Sequence, residues 1–214
     1  MDDSLEDTAE DNKLNISFVD ILFALVIGQA LTALSRYDYI PEWGRSHLLW
    51  ASLLVILSWI GYHRSEHRFA GDITFDLGSG RQLAGLGKFA VDIFLVVLYW
   101  IAVRTTEGGF VGSSSIPSWH PEMVITIAAF CLYAIWDLLS WVGRETRPTY
   151  FSWRRNVTLW FVGVSIVVAT YVVALNPKSG VGVEVVDLVL ISVLVAYRVA
   201  KDTQPESASM TRAN

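Results

Sequence analysis

Six long apolar stretches, separated by short polar segments, run through the chain at about 16–34, 47–62, 88–103, 123–143, 157–175 and 183–199. Each approaches the roughly 17–25 residues that a helix, rising about 1.5 Å per residue, needs to cross the hydrocarbon of a bilayer. Backbone N–H and C=O groups find no water in that layer, so a spanning segment must satisfy them internally, and stretches of this length do so as helices. The expected fold is therefore an all-α membrane protein: a six-transmembrane helix bundle over residues 16–200, flanked by a disordered acidic N-tail at 1–15 and a disordered C-tail at 201–214. With 53% hydrophobic and only 17% charged residues, and a mean hydropathy of +0.42, the 214-residue chain is too apolar for a water-soluble domain. All six prolines are expected outside the helices.

The positive charges give the bundle a direction. With six spans, the N-tail, second loop, fourth loop and C-tail share one side and hold twelve of the 16 Lys and Arg: Lys13; Arg64, Arg68, Arg81 and Lys88; Arg144, Arg147, Arg154 and Arg155; Arg198, Lys201 and Arg212. The other side holds Arg36, Arg45, Arg104 and Lys178. Basic residues favour the cytoplasmic side, so both termini are expected there. The net charge of -5 comes largely from Asp2, Asp3, Glu6, Asp7, Glu10 and Asp11. An acidic segment is not the positive n-region of a signal peptide, so the first stretch is expected to remain as a span. Trp43, Trp50, Trp100 and Trp119 fall near one expected boundary and Trp59, Trp141 and Trp153 near the other, the positions of interfacial belts. Trp59 and Trp136 are the two that could be internal. The lone Cys131 excludes a disulfide framework and a Cys-based metal site, and reads as a small packing residue.

Two loop patterns look like chemistry. Gly78-Ser79-Gly80, with Gly85 and Gly87-Lys88, has neither the glycine spacing nor the hydroxyl after lysine of a phosphate-binding loop. His63-Arg64-Ser65-Glu66-His67 fits the H-x-x-E-H zinc pattern, with Asp72, Asp76 and His47 as conceivable third ligands, but a polar helix end of this kind more often anchors at an interface. No metal site, no cofactor and no enzymatic activity are expected. Ionisable groups inside spans are more informative, because an Asp at mid-bilayer costs about 2.5–3.5 kcal/mol and needs a partner or water. Asp20, His63, Asp92 and Asp137 all fall toward the cytoplasmic side, and Asp187 toward the other. Asp92 and Asp137 are candidates for a proton or cation site; the simpler expectation pairs them with Lys88 and Arg144. Asp20 has no basic residue following it in its own span.

In the first span, Leu25, Gly28 and Thr32 share a helix face, and Ala24-x-x-x-Gly28 permits close helix approach. The run Phe18-Val19-Asp20-Ile21-Leu22-Phe23-Ala24-Leu25-Val26-Ile27 resembles the first helix of the bacterial and endolysosomal leak potassium channels, whose signature is Phe-Ser-Asp followed by an aromatic-Ala-aliphatic run. Ser58-Trp59-Ile60-Gly61-Tyr62-His63-Arg64 is similar to that family's second helix, which closes with Trp and His. The likeness covers about the first seventy residues. Val19 stands where the motif has Ser, Leu14 where it has Arg, and Gly28 where a hydroxyl residue would be expected.

The resemblance implies a homo-oligomer with first helices around a central axis. It implies a constriction at Leu25, near Gly28 and Thr32, and a hydrogen-bond network at the cytoplasmic ends involving Phe18, Asp20, Trp59 and His63. The expected function is a cation channel, conducting monovalent cations such as potassium, in a prokaryotic inner membrane. Its partners are the lipid bilayer and further copies of itself, with no nucleic acid. Two alternatives belong to other classes: a proton-coupled secondary transporter using Asp20, Asp92, Asp137 and His63, and a non-conducting protein that recruits a soluble cytoplasmic partner.

Overall fold

A computed structural model describes residues 3–36, 38, 40, 42–67, 80–106, 119–142, 148–177 and 179–203. Among these residues there are six helices and no strand: α1 (Asp3–Ser35), α2 (Glu42–His67), α3 (Gly80–Thr106), α4 (His120–Val142), α5 (Pro148–Leu175) and α6 (Gly180–Asp202). All six are long and apolar enough to cross a membrane. The helices outrun the expected stretches mainly at their polar ends. α1 starts at Asp3, so the acidic segment expected as a disordered tail is helical up to that residue. Carboxylates at a helix start meet the positive end of its dipole, which hydropathy alone does not register. Residues 204–214 of the C-tail lie outside the described residues.

The helix ends follow from local chemistry. Ser179 caps α6, its hydroxyl accepting from the Gly182 N–H at 3.1 Å. α5 ends where Asn176 turns left-handed, φ 44°, and its N–H bonds the Val172 carbonyl at 2.8 Å; Pro177 then follows. Asn tolerates that conformation, and Pro cannot continue a helix. Contrary to expectation, Pro121 and Pro148 lie within helices. They sit in the first turns of α4 and α5, where a missing N–H leaves no helical bond unmade.

Neighbouring helices alternate in direction. Asp20, in α1, meets His63 near the end of α2, and Leu139 near the end of α4 closes on Gly87 near the start of α3. The starts of the odd helices and the ends of the even ones therefore share one end of the bundle, called here the termini end. α2, α3, α4 and α6 form the centre, α1 packs chiefly on α2 and α3, and α5 chiefly on α4 and α6. Trp50, Leu54, Tyr99, Phe130 and Leu190 are fully buried between them. Phe130 and Tyr197 meet edge-on with centroids 5.0 Å apart, and Tyr133 stacks on Tyr197 at 5.6 Å.

Three expectations change here. Trp50 and Trp119 are core residues, not members of an interfacial belt, whereas Trp100 and Trp153 are exposed as a belt requires. Trp59 is exposed and Trp136 half-buried, so only the second is internal. Cys131 is exposed and so is not a packing residue, because α4 turns its Ala129–Phe130 side inward.

Candidate functional site

Polar side chains inside this apolar bundle gather in three clusters. The first joins α1 to α2 at the termini end. Asp20 Oδ1 lies 3.2 Å from His63 Nε2, and the Trp59 ring meets the His63 ring edge-on at 4.6 Å. Trp59 precedes His63 by four residues, one turn of the same face, so one helix presents both rings to the carboxylate. The structure thus brings Asp20, Trp59 and His63 together. Phe18 is not part of that polar group: it is exposed, with its ring 6.1 Å from Phe89 of α3.

Beyond Asp20, α1 has a face that none of the other described residues covers. Ile21, Leu25, Gly28, Thr32 and Ser35 succeed one another at alternating steps of four and three residues, and all are exposed. Leu25 is 66% exposed, and a Cβ placed on Gly28 would meet nothing within 4 Å. The hydroxyls of Thr32 and Ser35 donate to the helix's own carbonyls, Gly28 at 2.9 Å and Thr32 at 2.7 Å, which leaves their oxygen lone pairs facing outward. Leu25, Gly28 and Thr32 therefore lie on one open stripe, aliphatic toward the termini end and small or hydroxylated toward the other. The open face of α5 carries large apolar side chains at Leu159, Trp160, Ile166, Val167, Tyr171 and Leu175, with Gly163 and Thr170 exposed among them.

The second cluster is deeper. Asp137 Oδ2 accepts from Lys201 Nζ at 2.9 Å and from the Thr158 hydroxyl at 2.5 Å, and Lys201 also donates to Tyr197 OH at 2.6 Å. Lys201 reaches Asp137 because α4 and α6 run parallel and bring their ends to one level; Arg144, the expected partner, lies outside the described residues. Lys88 holds its Nζ 5.3 Å from the centre of the Trp136 ring. Asp92 lines a cavity of about 70 Å³ together with Ser58, Tyr99, Arg154, Arg198 and Lys201. Tyr133 OH bonds Ser58 and, at 2.7 Å, Tyr99 OH on the same cavity wall. Asp92 and Asp137 thus belong to one polar region, reached through Lys201.

A third cluster lies at the opposite end, where α2, α4 and α6 begin. His47 Nδ1 is 2.7 Å from Asp187 Oδ2, and His47 Nε2 is 2.9 Å from Glu122 Oε1. The Ser46 hydroxyl adds a 2.5 Å bond to Asp187 Oδ2. His47, Glu122 and Asp187 are 2%, 1% and 0% exposed. Sequence reasoning named His47 only as a conceivable ligand for a loop and left Glu122 out. The available signal was that all three stand within eight residues of a helix start on the same side; what the sequence hides is the rotation of each helix about its axis. Of the H-x-x-E-H pattern, His63 turns to Asp20, while the side chains of Glu66 and His67, and Asp72 and Asp76, lie outside the described residues.

Fold and clusters together define an all-α bundle of membrane-spanning length with a polar interior at both ends. Comparison with known protein families, with curated proteins and with solved structures gave no match.

Proposed function

We propose that the chain is an integral membrane protein with both termini in the cytoplasm, and that several copies assemble with α1 around a central axis to form a cation-conducting pore. The observation that carries this reading is the uncovered stripe of α1. A helix at the edge of the bundle that turns Gly28, Thr32 and Ser35 outward offers a poor surface to lipid tails and a good one to water or to a second copy. In a ring of such helices Leu25 supplies an aliphatic constriction able to gate by dewetting, and the carboxylate of Asp20 draws cations to the termini end. The Asp20–His63 contact ties the first helix to the second at that end. The distribution of twelve basic residues to one side and four to the other supports the orientation.

A second reading has its own observation. The buried Asp137–Lys201 pair beside a polar cavity is the kind of group that a proton-coupled transporter uses. Flux through purified protein in liposomes separates the two. The pore reading expects potassium or sodium to run down its own gradient at zero proton gradient. Flux that requires a proton gradient and is lost in Asp137→Asn replaces it with the transporter, and no flux under any gradient removes both in favour of a protein that recruits a soluble partner.

A further inference from the structure

The His47–Glu122–Asp187 cluster plays no part in that pore. Its chemistry is nonetheless specific. Two carboxylates and one imidazole meet inside an apolar bundle, and among the described residues this is the one group of three such side chains whose ligand atoms all lie within 4.8 Å of one another. Metal–ligand bonds of about 2.0–2.2 Å put the ligands of one ion within about 4.4 Å of each other, so the group must draw in, with one carboxylate turning from its own ring nitrogen toward the other.

The present arrangement leaves demand unmet. Glu122 Oε2 and Asp187 Oδ1 are buried and accept no hydrogen bond from the described residues. One turn further in, on the same faces of α2 and α4, Trp50 Nε1 and Thr126 Oγ1 are buried without a partner as well. With its ring protonated, the trio sums to one negative charge; with a neutral ring and a divalent ion it sums to zero. Uncompensated buried charge is costly, and the positive ends of α2 and α4 offset only part of it.

We infer that this cluster is a binding site for a first-row divalent transition metal, with Zn²⁺ the best fit. One ring nitrogen of His47 and one oxygen each from Glu122 and Asp187 would be the protein ligands, leaving a position for water. Mixed nitrogen and oxygen donors suit such ions, whereas Mg²⁺ and Ca²⁺ take oxygen alone. Each carboxylate sits on its own ring nitrogen, so the one beside the non-ligating nitrogen turns onto the ion when it binds.

The test uses full-length protein in detergent, stripped with a chelator and titrated with Zn²⁺. One equivalent should bind and raise the melting temperature, and His47→Gln, Glu122→Gln and Asp187→Asn should each weaken binding at least tenfold. Zinc X-ray absorption of the loaded wild type gives an answer even where a variant fails to fold: one imidazole with oxygen neighbours is the expected shell. Failure of wild type to bind Zn²⁺, affinity for Mg²⁺ equal to that for Zn²⁺, or a shell with two imidazoles, which would point to His63 and His67, overturns the assignment.

Discussion

Replacing Lys201 by methionine is expected to lower stability by about 3–5 kcal/mol, the usual consequence of removing one member of a buried ion pair. The methionine keeps most of the side-chain volume, so the loss is electrostatic. It leaves Asp137, buried between α4, α5 and α6, with the Thr158 hydroxyl alone as donor, and it removes the donor to Tyr197. An isolated carboxylate in such surroundings has lost its hydration without compensation. The double variant Asp137→Asn with Lys201→Met carries no charge and should recover most of the loss, since neutral replacements of buried pairs are often tolerated. Thermal melts of the single and double variants in detergent decide the matter; equal stability of the two would mean that the pair does not hold the helices.

The second large effect is functional. If α1 lines a cation pore as proposed, Leu25→Ala should raise flux on the order of tenfold, equivalent to about 1.4 kcal/mol off the barrier. Leu25 is exposed on the open face of α1 and makes no part of the protomer's core, so truncation leaves the fold intact. In the proposed ring of subunits the same change would widen the aliphatic level at Leu25 and let water enter it more easily. Leu175→Ala removes an equally exposed leucine from α5 and should change nothing. Flux assays in liposomes compare the three; a wild-type rate in Leu25→Ala takes the constriction away from this residue.

The number and order of the helices are legible from hydropathy, since each expected apolar stretch corresponds to one of six helices long and apolar enough to cross a membrane, though every helix is longer than its stretch. The ends are less legible. α1 runs back to Asp3 and α5 to Pro148 through polar residues whose helical preference comes from dipole and first-turn effects, not from burial. Asp20, Trp59 and His63 could be placed together because two antiparallel neighbours and one-turn spacing fix their meeting. The partner of Asp137 could not. Lys201 is 64 residues away, and the parallel packing of α4 and α6 is what brings it to Asp137. His47, Glu122 and Asp187 pose the same problem on three helices at once. The fate of Trp50 has a related cause: its depth suits an interface, but its rotation on α2 sends the ring into the core.

The central claim is that copies of this chain meet through α1, and disulfide or short bismaleimide crosslinking in native membranes tests it most directly. Cysteines at Leu25 or Gly28, in a Cys131→Ala background, stand on the open stripe, and the Gly28 position has room for a side chain. Val167→Cys on the open face of α5 is the comparison. The expected result is a covalent dimer from either α1 cysteine, since each thiol bridges to one neighbour, and monomer alone from Val167→Cys. Monomer alone at both α1 positions, or crosslinking at Val167 in their place, would contradict a pore built around the first helix.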